Sequence, residues 1–134
     1  MNQQEMMMEM QDMAKQAEQI EQHCQFLEQQ AGELEKFKKN LDDFDPRIGG
    51  KLLSSFGKGV FMETELKADK LLVEVGAGVL VRKTPQEVSE ILNVQIKALL
   101  ESREYFRQQF DLYSMELQKK MSVLEKELNK NKQE

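Results

Sequence analysis

From Met6 to Leu41 the apolar residues recur at alternating steps of four and three: Met6, Met10, Met13, Ala17, Ile20, Cys24, Leu27, Ala31, Leu34 and Leu41. Only Lys38 breaks the series, with Phe37 beside it. Glu, Gln and Lys fill most other positions. A seven-residue repeat sustained over about five turns of the pattern predicts a helix that packs its seam against another helix, not one lying on a globular core. Such a helix is about 60 Å long at ~1.5 Å per residue. Asn2 followed by Glu5 has the spacing of a capping box at its start. Pro46 disfavours helical geometry in the residue before it, so the helix is expected to end near Asp45.

The partner is the C-terminal part of the chain. T-P-Q-E at 84–87 places Thr84 as N-cap, Pro85 where its missing N–H costs nothing, and Glu87 within reach of the Thr84 backbone. Leu92, Ile96, Leu99, Phe106, Phe110, Tyr113, Leu117 and Leu124 then form a second seam, interrupted by Arg103 and Lys120, while Met121 and Leu128 suggest a phase shift near its end. The helix is expected to run to about residue 130. Folded back antiparallel, Leu41 meets Leu92, Leu27 meets Phe106, Ile20 meets Tyr113, and Met13 reaches the turn of Lys120 and Met121.

Between the helices the period changes to two. Val60, Met62 and Leu66 alternate with Phe61, Glu63 and Glu65; Leu71, Val73 and Val75 alternate with Leu72 and Glu74; Val79 and Val81 alternate with Leu80 and Arg82. These are half-buried strands, and G-K-G at 57–59, A-D at 68–69 and G-A-G at 76–78 separate them with turn residues. With Leu52 to Phe56 as a less regular first strand, the segment becomes two β-hairpins. The fold class is therefore α+β: a long antiparallel coiled-coil hairpin joined by two β-hairpins. Residues 1–45 form the first coil helix, 46–84 the β segment and 85–134 the second coil helix.

A β segment this short cannot build its own core, because domains below about 40 residues need staples or partners. Its apolar face of Val60, Met62, Leu66, Leu71, Val73, Val75, Val79 and Val81 must meet other strands. Subunit association that closes the hairpins into a β-barrel body removes both the apolar face and the free edges. The chain is expected to be an obligate oligomer with those eight residues at the subunit interface.

Chemistry has little to stand on. The formal charge of −5 argues against nucleic-acid binding, which needs a basic face. No stretch of about 18 apolar residues exists and no basic segment precedes an apolar one at the start, so neither a membrane span nor a signal peptide is expected. The single Cys24 fits a reducing, cytoplasmic setting. His23, the only histidine, is its neighbour, and adjacent residues on a helix do not share a face, so a Cys–His nucleophile or a metal site is not expected. G-A-G lacks the third glycine and the following helix of a dinucleotide loop. No enzyme activity, metal or cofactor is anticipated.

The methionines are different. Six of the nine lie in the first thirteen residues. Met6, Met10 and Met13 fit the seam, but Met7 and Met8 cannot share the face of Met6, because each residue turns the helix by about 100°. In the antiparallel register they lie near Met121, Leu124 and Leu128. Together these eight side chains are candidates for a deformable apolar grip, since the unbranched, polarizable methionine adapts to irregular partners.

The order helix, L-L-S-S-F-G-K-G-V-F-M at 52–62, D-K-L-L-V-E-V-G-A-G-V-L-V-R-K-T at 69–84, helix resembles the prefoldin family, and the paired hairpins resemble its alpha class. The resemblance covers the chain in architecture and is most specific over Val75 to Thr84. It implies an ATP-independent holdase in which two alpha and four beta subunits form a hexamer. The implied hexamer has a double β-barrel platform and six coiled coils whose tips hold unfolded polypeptide and deliver it to a group II chaperonin. A coiled-coil structural or adaptor protein, built into a filament or scaffold by the same β segment, is the alternative.

Overall fold

The computed structural model describes residues 2–44 and 47–133. Its elements run α1 (Gln3–Asp42), β1 (Lys51–Gly57), β2 (Val60–Glu65), β3 (Leu71–Gly76), β4 (Val79–Lys83) and α2 (Pro85–Gln133). At the start of α1 the Glu5 N–H donates to Asn2 Oδ1 (2.8 Å), satisfying one of the free amides of the first turn. The helix ends at Asp42, and the stop expected at Asp45, before Pro46, lies outside the described residues.

The heptad reading of α1 holds without a gap. Met13, Ala17, Cys24, Leu27, Ala31 and Leu41 are buried, and Met6, Met10, Ile20 and Leu34 are half-buried. Lys38 is half-buried too, so it continues the seam that its charge suggests it would break. Its aliphatic stem can lie along the apolar stripe while the ammonium reaches water. In α2 the half-buried positions include Leu99, Arg103, Phe106, Phe110, Tyr113, Leu117, Lys120, Leu124 and Glu127. The stride of three and four therefore passes through Arg103 and Lys120 unbroken. The expected phase shift is absent: Met121 and Leu128 are exposed, and Glu127 takes the seam position beyond Leu124.

The chain divides into two compact units. One combines α1 up to Ala31 with α2 from Lys97 onward; the other is Gly32–Ile96. Within the first, Glu9 pairs with Lys120, the Cys24 thiol points to the Arg103 carbonyl (3.8 Å), and Glu28 pairs with Arg107 (3.2 Å). Early residues of α1 meet late residues of α2, so the helices run antiparallel. Ile20 shares a groove with Phe106 and Tyr113, the latter being its expected partner.

Within the second unit, Leu41, Val88 and Leu92 form the core, with Leu34, Leu71 and Val73 packed against it. The capping box at the head of α2 is complete. The Thr84 N–H donates to Glu87 Oε1 (3.2 Å) and the Glu87 N–H donates back to Thr84 Oγ1 (3.1 Å).

The strands form two separate antiparallel sheets, β1 with β2 and β3 with β4. Leu53 faces Glu63 and Ser55 faces Phe61 in the first; Leu72 faces Arg82 and Glu74 faces Leu80 in the second. Ser54, a polar residue in β1, is accommodated by a hydrogen bond with Thr64 (2.9 Å). Each hairpin has a register shift just before its turn. At the turns Lys58 and Ala77 both have φ of 49°, followed by Gly59 at 80° and Gly78 at 76°. Two consecutive positive φ values are the requirement of a type I′ turn, whose twist matches that of the flanking strands. The hairpins are one unit repeated: K-L-L at 51–53 recurs at 70–72 and G-K-G-V at 57–60 recurs as G-A-G-V at 76–79.

Candidate functional site

Two regions hold exposed apolar side chains in quantity. The first lies in the coil unit, near the start of α1. Met7 (52% exposed) and Met8 (61%) project outward, as helical rotation requires. Met13 is buried in the seam and Met6 and Met10 are half-buried. From α2, Met121 and Leu128 are exposed and Leu124 is half-buried. A cleft of about 280 Å³ runs between the helices, lined by Met7, Met10, Ala14, Leu117, Met121 and Leu124 among others. The structure thus joins Met7, Met10, Met121 and Leu124 in one apolar surface. Met6, Met8, Met13 and Leu128 lie outside that cleft. The Glu9–Lys120 ion pair sits in the same region, so the cleft has a charged neighbour.

Farther along the same unit the polar groups are structural. The buried Cys24 thiol is pushed up from its ordinary pKa, first by burial, so little reactive thiolate is present near neutral pH. His23 sits edge-on to Phe106 (4.5 Å between ring centroids) rather than on a nucleophile. Glu28 lies between Arg103 (3.6 Å) and Arg107 (3.2 Å). Tyr105 is exposed and packs its ring edge-on against Phe106. Among the described residues no group of three His, Cys, Asp or Glu side chains is placed to hold a metal ion.

The second region is the pair of hairpins. Val60, Met62, Val75, Val79 and Val81 are exposed, while Leu66, Leu71 and Val73 are half-buried. Leu71 and Val73 lie against the chain's own core of Leu41, Val88 and Leu92, so less of them is free for a partner than alternation alone implies. An apolar cleft of about 550 Å³ opens beside them, with Phe37, Phe44 and Ile91 in its wall. Alternation also hid a second set. Leu53, Phe61 (60% exposed), Leu72 and Leu80 (58%) stand on the opposite faces of the same strands, and Phe56 is exposed at the register shift. The signal was present in the sequence: V-F-M and V-L-V are apolar at every position, which marks strands needing cover on both sides. The repeat of K-L-L and G-x-G-V was a further unread signal.

The family model described as Prefoldin subunit matches residues 13–134. A curated relative, Prefoldin subunit alpha of Methanosphaera stadtmanae, is 27% identical over 88 residues, which cover 66% of this chain and 64% of that protein. The aligned stretch is thus a little under two thirds of the relative. Among solved structures, the cryo-EM structure of filamentous PFD from Methanocaldococcus jannaschii superposes with a TM-score of 0.50 over 89% of this chain and 94% of that one. At 18% identity that likeness is one of fold.

Proposed function

Because the chain belongs to the prefoldin family, we propose that it is an alpha-type subunit of an ATP-independent holdase that grips unfolded polypeptide through the ends of its coiled coil. The supporting observation is the apolar cleft in which Met7 and Met121 stand above Met10, Leu117 and Leu124. Fully burying one Met or Leu side chain is worth ~1.5–3 kcal/mol, so three such contacts give a gross ~5–9 kcal/mol before ordering and association costs. One coil end alone binds weakly. Several ends on one oligomer raise the effective concentration for a shared client, giving avidity from contacts that each release readily.

In this reading the hairpins carry the assembly. Beta-type subunits cover their exposed strands and close them into β-barrels, in a hexamer of two alpha and four beta subunits. The complex works without nucleotide or metal in the cytoplasm, and its client passes to a group II chaperonin. Catalysis has no part in it.

Deleting residues 1–13 together with 121–134 is expected to abolish suppression of client aggregation, measured by light scattering of a diluted denatured protein, while native mass spectrometry still finds the oligomer. The triple variant Met7→Ser, Met8→Ser, Met121→Ser tests the same surface without shortening the coil. These side chains are exposed, so the helix stays intact while the grip is lost. Full aggregation suppression by both variants would remove the coil end from the mechanism.

A further inference from the structure

The sulfur of the chain lies in nine methionines and one cysteine, and the fold sorts them by access to solvent. Met7, Met8, Met115 and Met121 are exposed on the coil, and the least open of them, Met121, keeps 45% of its surface in solvent. Met13 keeps 8% and Cys24 5%, both within the seam, while Met6 and Met10 are half-buried. Met62, on β2, is exposed as well. A thiolate is ordinarily the first sulfur that an oxidant attacks. Here burial shields Cys24 and also raises its thiol pKa, which makes it a poor target. The exposed thioethers are what remains. Met7, Met8 and Met121 belong to the proposed grip, with Met7 and Met121 in the wall of its cleft; Met115 stands on the same helix as Met121 but outside that cleft.

We propose that Met7, Met8 and Met121 form a reversible oxidation site, at which a peroxide turns the apolar grip polar and weakens its hold on the client. The site rests on the reading of the coil end as the holdase surface and adds a regulation to it. In the reaction the thioether sulfur attacks one peroxide oxygen, the O–O bond breaks and an S–O bond forms. The departing hydroxide takes a proton and leaves as water, so the sulfur is oxidised and the peroxide reduced by one electron pair. A dithiol-dependent methionine sulfoxide reductase reverses the change, the oxygen leaving as water while the dithiol closes to a disulfide. The sulfoxide oxygen needs a hydrogen-bond donor, and an apolar client side chain offers none. Each such contact changes from favourable burial to one that strips water from a polar group. An oxidised Met13 would put the same polar group inside the seam, but its burial keeps it from the reagent. The grip is thus switched off before the coil comes apart.

The test uses the full chain, hydrogen peroxide and a fluorescent, permanently unfolded polypeptide whose binding is followed by anisotropy. Peptide mass mapping should find Met7, Met8 and Met121 converted while Met13 is still reduced, and half-maximal client binding should then need about tenfold more protein. A methionine sulfoxide reductase with a dithiol should return binding to its starting value. Native mass spectrometry and circular dichroism should show the same oligomer and the same helical signal before and after treatment. The triple variant Met7→Leu, Met8→Leu, Met121→Leu has an apolar coil end without an oxidisable sulfur, so peroxide should leave its binding at its own untreated value. The pair Met62→Leu, Met115→Leu should lose binding on oxidation by the same factor as wild type. Full binding by oxidised wild type, an equal loss in the leucine triple, or protection by the Met62 and Met115 pair overturns the site. So does conversion of Met13 as fast as Met7. The serine triple variant described above separates this outcome from the holdase reading. If it binds poorly while oxidised wild type binds fully, only the switch falls; if it binds fully without treatment, the grip and the switch fall together.

Discussion

Met13, Ala17, Cys24, Leu27 and Ala31 are buried, whereas Leu53, Phe61, Leu72 and Leu80 are at least as apolar and stand open to solvent. The difference is one of geometry. A helix with a seven-residue repeat has one apolar stripe, and a single antiparallel partner from the same chain covers it. A two-stranded hairpin has two faces and two edges, and among the described residues the chain's own core packs against Leu71 and Val73 on one of the faces. The seam of the coil is covered within the chain, whereas the hairpins leave apolar side chains open on both faces. In the proposed function the exposed residues of the coil make transient contacts and those of the hairpins make permanent ones.

The strongest way to break this comparison is to place a charge on the open strands. Phe61→Asp combined with Leu80→Asp should eliminate every oligomer seen by native mass spectrometry, because a carboxylate trapped between strands loses its hydration without gaining a partner. Circular dichroism of the separate chain should keep its helical signal. Assembly that survives both substitutions would mean that these faces remain wet.

A smaller effect sharpens the contrast within one chain. Leu27→Ala empties a buried seam position and should cost about 2–4 kcal/mol in urea unfolding. Leu80→Ala, at an exposed strand position, should change the unfolding of the separate chain by less than about 0.5 kcal/mol while weakening assembly. Equal losses at the two sites in the separate chain would erase the distinction between a filled and an unfilled surface.

The same contrast separates what could be read from the residues and what could not. Local rules located the elements: the heptad stride gave α1, T-P-Q-E gave the head of α2, and the glycine-centred turns gave both hairpins. Residue type misled where long side chains divide their loyalties. Lys38, Arg103 and Lys120 look like breaks in the seams, yet all three are half-buried in them, because an aliphatic stem packs while its charged end finds water or Glu9 and Glu28. Met121 and Leu128 look like seam residues and are exposed, since the stride had already continued through Lys120. Val88, buried in the core under β3, lies before the start of the seam read from Leu92. In the candidate site, rotation alone separates Met7 and Met8 from Met6. The antiparallel register already brought this end of α1 near Met121, Leu124 and Leu128; what needed three dimensions is that Met7 lines a cleft with Met121 and Leu124 while Met8 and Leu128 lie outside it.

The repeated turns allow the two hairpins to be compared with each other. Ala77 and Lys58 hold the same φ of 49°, a left-handed conformation that costs an ordinary L-residue roughly 1–2 kcal/mol. Asn tolerates that conformation and is favoured at this place in type I′ turns. Ala77→Asn and Lys58→Asn should each stabilise the chain by about 0.5–1 kcal/mol in urea unfolding. Equal gains would make the hairpins equivalent as scaffolds and leave their charges as the difference between them. A gain at one turn only would show that the shared geometry is not shared energetics.

The smallest expected effect belongs to the joint between the hairpins and the coil. The backbone hydrogen bond from Thr84 and then the Thr84 side chain favour the ionised Glu87, holding its carboxyl below the ordinary glutamate value. A group whose folded pKa is depressed contributes stability that is fully present above its unfolded pKa and disappears as pH falls through the folded one. The stabilising share of Glu87 should therefore be constant from neutral pH down to the usual glutamate range and fade below it. Glu87→Gln keeps an oxygen for the Thr84 N–H but has no charge to titrate. Melting followed from pH 7 towards strongly acid solution should show wild type above the variant at neutral pH, with the gap closing only below the usual range of a glutamate carboxyl. A gap of constant size would assign the contribution of Glu87 to hydrogen bonding alone, and a gap that widens on acidification would reverse the sign of the shift.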